Sequence, residues 1–413
     1  MRYIKYECIL CGMLSVFILH GQVRNLPYFT DIAIRNSPLL QGYRNQILSN
    51  KVDSQLLIAG YRPQVNFISN DSYAPVINGF GYDNAITNTA NVSALVQMRK
   101  DFISKGYMGS LQKNIDFQSQ ALLDTIRLSE KDLIRTIGDQ YINTYSDMLV
   151  MDFTNEIYQL LKSEDEGLKG LTRDNIYKQT DYLAFVVTLQ QQEINLEQAR
   201  ILYNADYLVL NFLSGIKDTA ITRLGEPGLS YSVVPDFENS IFYKRYITDS
   251  LRIANEHRLI DYSYRPKFGL FADAGYNSST VLNAYKNFGI SGGIGLIAPI
   301  YDGHQKKLKH DKLNIEESSR IVQRDFSIVQ YEQQITQLAQ QLSATEMLIA
   351  KLNKQAEFAF ALITADLKLL GTGDIRLTDF IIAINNYYGA KNLLRQNSIA
   401  RLKIINQIVY LNQ

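Results

Sequence analysis

The chain has 413 residues and a formal net charge of +1, with 42 Lys and Arg against 41 Asp and Glu. That balance offers no basic surplus to nucleic acid and no acidic tail, and the length suits two or three ordinary domains or one elongated one. The only cysteines, Cys8 and Cys11, lie near the start, so the remainder has no disulfide, thiolate metal site or cysteine nucleophile.

Residues 1–21 read as a signal peptide. Arg2 and Lys5 precede the apolar run Cys8–Leu19, and Gly21 offers a small-residue cleavage point. Residues 22–214 form a first structural repeat. Asn25–Ala59 reads as helix interrupted near Ser37-Pro38, and it stops at Tyr61-Arg62-Pro63 because proline disfavours helix in the residue before it. Strands are predicted at about 64–73 and 89–102, separated by the polar loop Ala74–Asn88. In the second strand Ala90, Val92, Ala94, Val96 and Met98 alternate with mostly polar residues. A long helix then runs from about Ser104 to Ser163, and Gly167 and Gly170 predict a break over Glu164–Asn175. A shorter helix ends near Ser214-Gly215.

Residues 215–236 read as an irregular linker. Residues 237–413 repeat the order: helix to Tyr262, Tyr264-Arg265-Pro266, strands at about 267–276 and 288–301 around the polar loop Asn277–Asn287, a long helix from about His304 to Leu370, a break at Gly371-Thr372-Gly373, and a last helix. Tyr61-Arg62-Pro63 recurs as Tyr264-Arg265-Pro266, and Thr180-Asp181-Tyr182-Leu183 as Thr378-Asp379-Phe380-Ile381, at offsets of 203 and 198 residues. The chain reads as internally duplicated.

Two patterns carry the architecture. In Phe288–Gly303, Phe288, Ile290, Ile294, Leu296, Ala298 and Ile300 alternate with a face rich in Gly and Ser, as a strand between lipid and water requires. In the long helix Ile321, Ile328, Ile335, Leu342, Ile349, Ala356, Ile363 and Leu370 step by seven, with Tyr331, Leu338 and Leu352 on an adjoining stripe. A sustained repeat of seven implies coiled-coil packing. One such helix of roughly 65 residues would be about 100 Å long.

Four strands per chain cannot close a barrel, and open edges are not viable in lipid. Three chains would supply twelve strands, an even number within the range of outer-membrane barrels. The expected lipid-facing residues are Val92, Ala94, Val96, Phe268, Leu270, Ile290, Ile294 and Leu296.

The repeated Tyr-Arg-Pro, the strand exit Pro299-Ile300-Tyr301-Asp302-Gly303 and the turn Gly373-Asp374-Ile375-Arg376-Leu377-Thr378-Asp379, in this twofold order, resemble the outer membrane efflux protein family, the TolC-like exit ducts. The likeness covers essentially the whole chain after the signal. It implies an α plus transmembrane β fold: a homotrimer sharing a 12-stranded β-barrel, with a long periplasmic α-helical coiled-coil tunnel. It implies residence in the outer membrane of a Gram-negative cell and a passive conduit for efflux or type I secretion. Partners would be a periplasmic adaptor protein and an inner-membrane transporter. No enzymatic activity, cofactor or nucleic acid is implied. The resemblance makes Asp374 and Asp379 candidates for an acidic periplasmic gate, although Asp374 also suits a helix N-cap. It makes Gly170, Gly371, Thr372 and Gly373 candidates for adaptor-docking tips, although Gly also simply ends helices. The first break places more residues between its last glycine and Thr180-Asp181 than the second does before Thr378-Asp379, so the two tips are expected to differ in shape.

Other readings are a periplasmic adaptor or a structural coiled-coil protein of the envelope. The duplication argues against the first and the amphipathic strands against the second. Gly293–Ala298 matches a dinucleotide fingerprint formally, but it lies inside the strand alternation and opens no helix. His304 and His310 are six apart, not on one helical face, and His257 stands alone in the sequence. No metal site follows.

Overall fold

The computed structural model describes residues 23–81, 89–230, 236–279 and 284–412. The expected signal peptide, parts of both polar loops and the end of the linker lie outside them. Among the described residues seven α-helices and four strands follow one another: α1 (Leu26–Asn36), α2 (Pro38–Gly60), β1 (Gln64–Ala74), β2 (Thr89–Phe102), α3 (Lys105–Arg173), α4 (Gln179–Ser214), α5 (Ile241–Ser263), β3 (Lys267–Ser278), β4 (Phe288–Ile297), α6 (Gln305–Leu370) and α7 (Leu377–Leu411).

Local chemistry sets the boundaries. Asn25 caps α1, its side chain accepting from the Tyr28 N–H at 3.2 Å. Pro38 opens α2, where its missing N–H costs nothing. Ser240 caps α5 through the Tyr243 N–H. Strand β4 ends at Ile297, four residues short of the predicted Tyr301. Its partner β3 begins only at Lys267, which pairs with Ile297, and Pro299 has no N–H to extend the ladder.

The largest departure from the sequence reading is in α3. Gly167 and Gly170 do not break it, and the helix continues to Arg173. A glycine inside a helix costs only about 1 kcal/mol relative to alanine. Here Leu161, ahead of both glycines, and Leu168, between them, are fully buried in one apolar cluster, which offsets that cost.

The described chain forms two compact units, and each draws on both sequence halves. One holds α1, α3 from Asp132, α4, α6 from Leu338, and α7. Its first cluster packs Ile157, Leu161, Phe185, Ile363, Leu370, Phe380 and Ile384. Its second packs Phe29, Ile137, Tyr141, Tyr203, Tyr207 and Leu224. Along α6 the predicted stripe of seven is buried at Leu342, Ala356, Ile363 and Leu370, half-buried at Ile328, Ile335 and Ile349 and exposed at Ile321, while Tyr331, Leu338 and Leu352 of the adjoining stripe are all buried.

The other unit holds α2, the sheet, α5, and the first parts of α3 and α6. Polar bonds join its helices. Asn50 Nδ2 donates to Ser119 Oγ at 3.0 Å, Thr248 Oγ1 to Asp124 Oδ2 at 3.0 Å, and Asn255 Nδ2 to the Ser110 carbonyl at 2.9 Å. Helix α2 buries only Leu40 and Asn50, and leaves Leu39, Leu48, Val52 and Leu56 exposed.

Candidate functional site

The four strands form one antiparallel sheet in the order β1-β2-β3-β4. Side chains alternate between faces along a strand, and residues directly opposite across a ladder share a face. The register can therefore be read across the sheet. Phe67 pairs with Val96, Val96 with Ala274, and Ala274 with Ile290. Ala94 pairs with Tyr276 and Tyr276 with Phe288; Leu270 pairs with Ile294 and Phe268 with Leu296. By this register Val92, Ala94, Val96, Phe268, Leu270, Ile290, Ile294 and Leu296 all lie on one face.

Aromatics mark both ends of that face. Tyr73, Tyr276 and Phe288 lie toward the loops, and Phe102 and Phe268 toward the helices. Aromatic rows at two interfaces are a general feature of membrane-spanning strands. The opposite face carries Asn66, Asn70, Asn91, Ser93, Gln97, Arg99, Asp273, Ser291, Gly293 and Gly295. Ser69, Asp71 and Lys100 interrupt the first face; on this one Ile68, Leu95 and Ile297 are apolar exceptions, as is Phe271. Its ring lies where a Cβ on Gly293 would stand, 2.6 Å away, so a large side chain fills the space beside a glycine. Strands β1 and β4 each have one unpaired edge within the chain.

The second candidate region is the pair of helix stops in the mainly helical unit. They are built alike. Asn175 (φ 61°) and Gly373 (φ 78°) occupy the left-handed region. The next N–H then reaches back five residues, from Ile176 to the Leu171 carbonyl at 2.9 Å and from Asp374 to the Leu369 carbonyl at 3.1 Å. This is a Schellman closure. The Lys178 carbonyl accepts from Asp181 and Tyr182, and the Arg376 carbonyl from Asp379 and Phe380. Subtracting 175 from 373, or 178 from 376, gives 198. The expected difference in turn length therefore disappears. It arose from taking Gly170 as the stop, whereas asparagine, which tolerates this conformation, provides it.

The two stops also touch. Tyr177 OH donates to the Leu370 carbonyl at 2.9 Å, and a Cβ on Gly373 would lie 2.5 Å from Ile176 Cγ2. Gly373→Ala would meet both that contact and a positive φ, and is expected to cost more than about 1 kcal/mol. Gly371→Ala meets nothing within 4 Å and is expected to leave the melting temperature unchanged. Equal melting temperatures for the two variants would contradict this account.

Gly170 lies inside α3, its carbonyl accepting from the Asp174 N–H. Gly371 and Thr372 are exposed at the second stop. Asp374 is also exposed, and it does not cap α7, which begins at Leu377. Instead its Oδ2 accepts from Thr372 Oγ1 at 2.6 Å. Asp379 lies exposed in the first turn of α7, where the helix dipole favours an anion.

A residue the sequence reading passed over faces Asp379. Asp366 is 7% exposed and falls on the same seven-step stripe as Tyr331, Leu338 and Leu352. Burial, and then the charge of Asp379, push its carboxyl above the usual range. The signal was present in the sequence as a charge at a seam position.

A second acidic pair bridges α3 and α4. Burial, with the hydrogen bond and charge of Asp206, pushes Asp147 up to about 7, against the opposing charges of Arg395 and Lys403 on α7. The folded protein thus holds a proton that the unfolded chain releases above about pH 4. Stability falls as pH rises from about 4 to about 7 and is level beyond that. Asp147→Asn is expected to be more stable than the parent at pH 8 by about 1–2 kcal/mol, discounted for partial exposure. The advantage should shrink toward zero at about pH 4. Denaturant unfolding at pH 4.5, 6 and 8 measures it (the pH values bracket about 4 to 7), and a pH-independent difference would exclude the shared proton.

No model of a known protein family matches the sequence, and no curated protein does. Solved structures do match the fold. The channel-forming protein CusC superposes with a TM-score of 0.74 at 12% identity, over 94% of this chain and 92% of that one. The outer membrane protein VceC of Vibrio cholerae gives 0.72 at 12% identity, covering 94% and 96%. The outer membrane channel MtrE of Neisseria gonorrhoeae, in its open state, gives 0.73 at 12% identity, covering 94% and 88%. The fold of this chain is that of the TolC-like outer membrane efflux channels.

Proposed function

We propose that the chain is an outer-membrane exit duct of a tripartite efflux or type I secretion system. It acts as a passive conduit, coupled through a periplasmic adaptor to an inner-membrane pump. The observation that carries this reading is the four-stranded sheet, apolar on one face, polar and glycine-rich on the other, and open at both edges. Lipid tolerates no open edge. Three copies joining β4 of one to β1 of the next give twelve strands with the apolar face outward. Exposed Leu39, Leu48, Val52 and Leu56 on α2 are then covered between copies, and the long helices form a periplasmic tunnel.

The like-built stops at a constant offset of 198 support the reading of residues 22–214 and 237–413 as repeats. In the duct, exposed Gly371 and Thr372, with Gly373 and the neighbouring Gly170, form the adaptor-docking tips. Asp374 and Asp379, repeated threefold, form the acidic gate, with Asp366 behind Asp379.

The deciding experiment is the mass of protein extracted from the outer-membrane fraction, by light scattering in detergent. A mass near three protomers is expected. A monomer that stays soluble without detergent would remove the duct reading. Planar-bilayer conductance of the same material tests the gate: unchanged cation selectivity in both Asp374→Ala and Asp379→Ala excludes it.

A further inference from the structure

We propose that His257 and His310 form a binding site for a divalent cation of the borderline class, such as Zn2+, Ni2+ or Cu2+, that clamps α5 to α6. The two residues lie 53 apart in the chain, yet their Nδ1 atoms are 2.7 Å apart. The rings are nearly parallel, at 13°, with centroids 5.0 Å apart. The nitrogens are closer than the centroids by about two ring radii, so the rings meet edge to edge and each Nδ1 is aimed at the other.

The other nitrogen of His310 is also held. Its Nε2 lies 3.4 Å from Asp261 Oδ1, which Lys306 Nζ approaches at 2.9 Å. A carboxylate there favours the Nε2–H tautomer and leaves a lone pair on Nδ1. The same carboxylate–histidine arrangement orients metal ligands and raises their basicity. Without metal, the His257 Nδ1–H fills the gap and donates to His310 Nδ1. With metal, His257 carries its proton on Nε2, so both rings stay neutral and both lone pairs face the ion. Bonds of about 2.0–2.1 Å at a tetrahedral angle need the nitrogens roughly 3.3 Å apart and each ring turned by about 35° from the head-on contact, a rotation of both side chains about their χ angles. Imidazole suits these metals.

Among the described residues no cluster of three or more His, Cys, Asp or Glu side chains is placed to hold a metal. The site therefore has two protein ligands, with water completing the shell. Helix α5 leads into β3 and α6 follows β4, so the ion would tie together the two helices that flank this hairpin.

The test uses the full chain purified in detergent, stripped with a chelator and titrated with ZnCl2 by calorimetry. Bound zinc is counted after gel filtration. One zinc per chain is expected, with a rise in melting temperature. His304→Ala should retain both effects. His257→Gln and His310→Gln should lose both while keeping the parental circular dichroism, and Asp261→Asn should weaken binding 10–100-fold. No saturable binding, or equal binding in the double His257→Gln, His310→Gln variant, overturns the proposal. It stands apart from the duct reading, since a monomeric mass would leave the zinc titration unchanged.

Discussion

Val96→Arg is expected to abolish assembly in the outer membrane, whereas Gln97→Arg, one residue further on, is expected to assemble normally. The two positions lie mid-strand in β2 and differ only in the face they occupy. Val96 pairs with Phe67 on one side and Ala274 on the other, and it is half exposed in the single chain. An arginine on the lipid face of a barrel near the bilayer midplane costs about 2–4 kcal/mol. The proposed trimer would carry that cost three times. Gln97 instead pairs with Asn66 and Asp273. In the proposed duct an arginine there would face water, and it lies across from the Asp273 carboxylate, a cross-strand pairing worth about 0.2–1 kcal/mol. The measurement is the yield of trimer extracted from outer membranes at matched expression. Equal yields would remove lipid from the apolar face. A loss confined to Gln97→Arg would invert the sheet.

That contrast was legible in the sequence because a sheet with unlike faces forces a period of two, and Ala90 to Met98 keep it apart from Leu95. The stripe of seven in α6 was legible for a similar reason, since a long buried seam leaves its period on the chain. What was missed depends on local geometry or on distant partners. The left-handed stop at Asn175 was assigned to Gly170 because glycine is the commoner signal. Asp366 was passed over because the seam was read from apolar residues alone, although its burial follows from its place on the stripe. The His257–His310 contact joins two helices across a β-hairpin, and no local pattern announces it. The Asp147–Asp206 pair likewise joins two helices that approach only once the α3–α4 hairpin closes.

The described part of the linker, residues 215–230, is tied down. Tyr141→Ala is expected to give a large loss of stability, about 3–5 kcal/mol for truncating a fully buried aromatic. Tyr141 is 0% exposed. Its OH lies 2.7 Å from the Gly225 carbonyl in the linker and 3.1 Å from the Arg24 carbonyl ahead of α1. Its ring meets Phe29 edge-on at 5.8 Å. Two further tyrosines hold the same strap: Tyr203 OH donates to the Thr222 carbonyl at 2.7 Å, and Tyr207 OH lies 2.8 Å from Thr222 Oγ1. The Gly225 N–H closes the loop by donating to the Arg24 carbonyl at 3.2 Å. Burial pushes the Tyr141 phenol well above its ordinary range. Tyr141→Phe keeps the ring and removes only the hydroxyl, leaving the carbonyls one partner fewer, and is expected to cost about 1–3 kcal/mol. Thermal unfolding in detergent ranks the three proteins, and limited proteolysis reports whether cleavage shifts to the segment around Thr222. Tyr141→Phe as stable as the parent would show that the hydroxyl does not fasten the linker. Tyr141→Phe as damaging as Tyr141→Ala would place the whole effect in the hydrogen bonds and none in the packed ring.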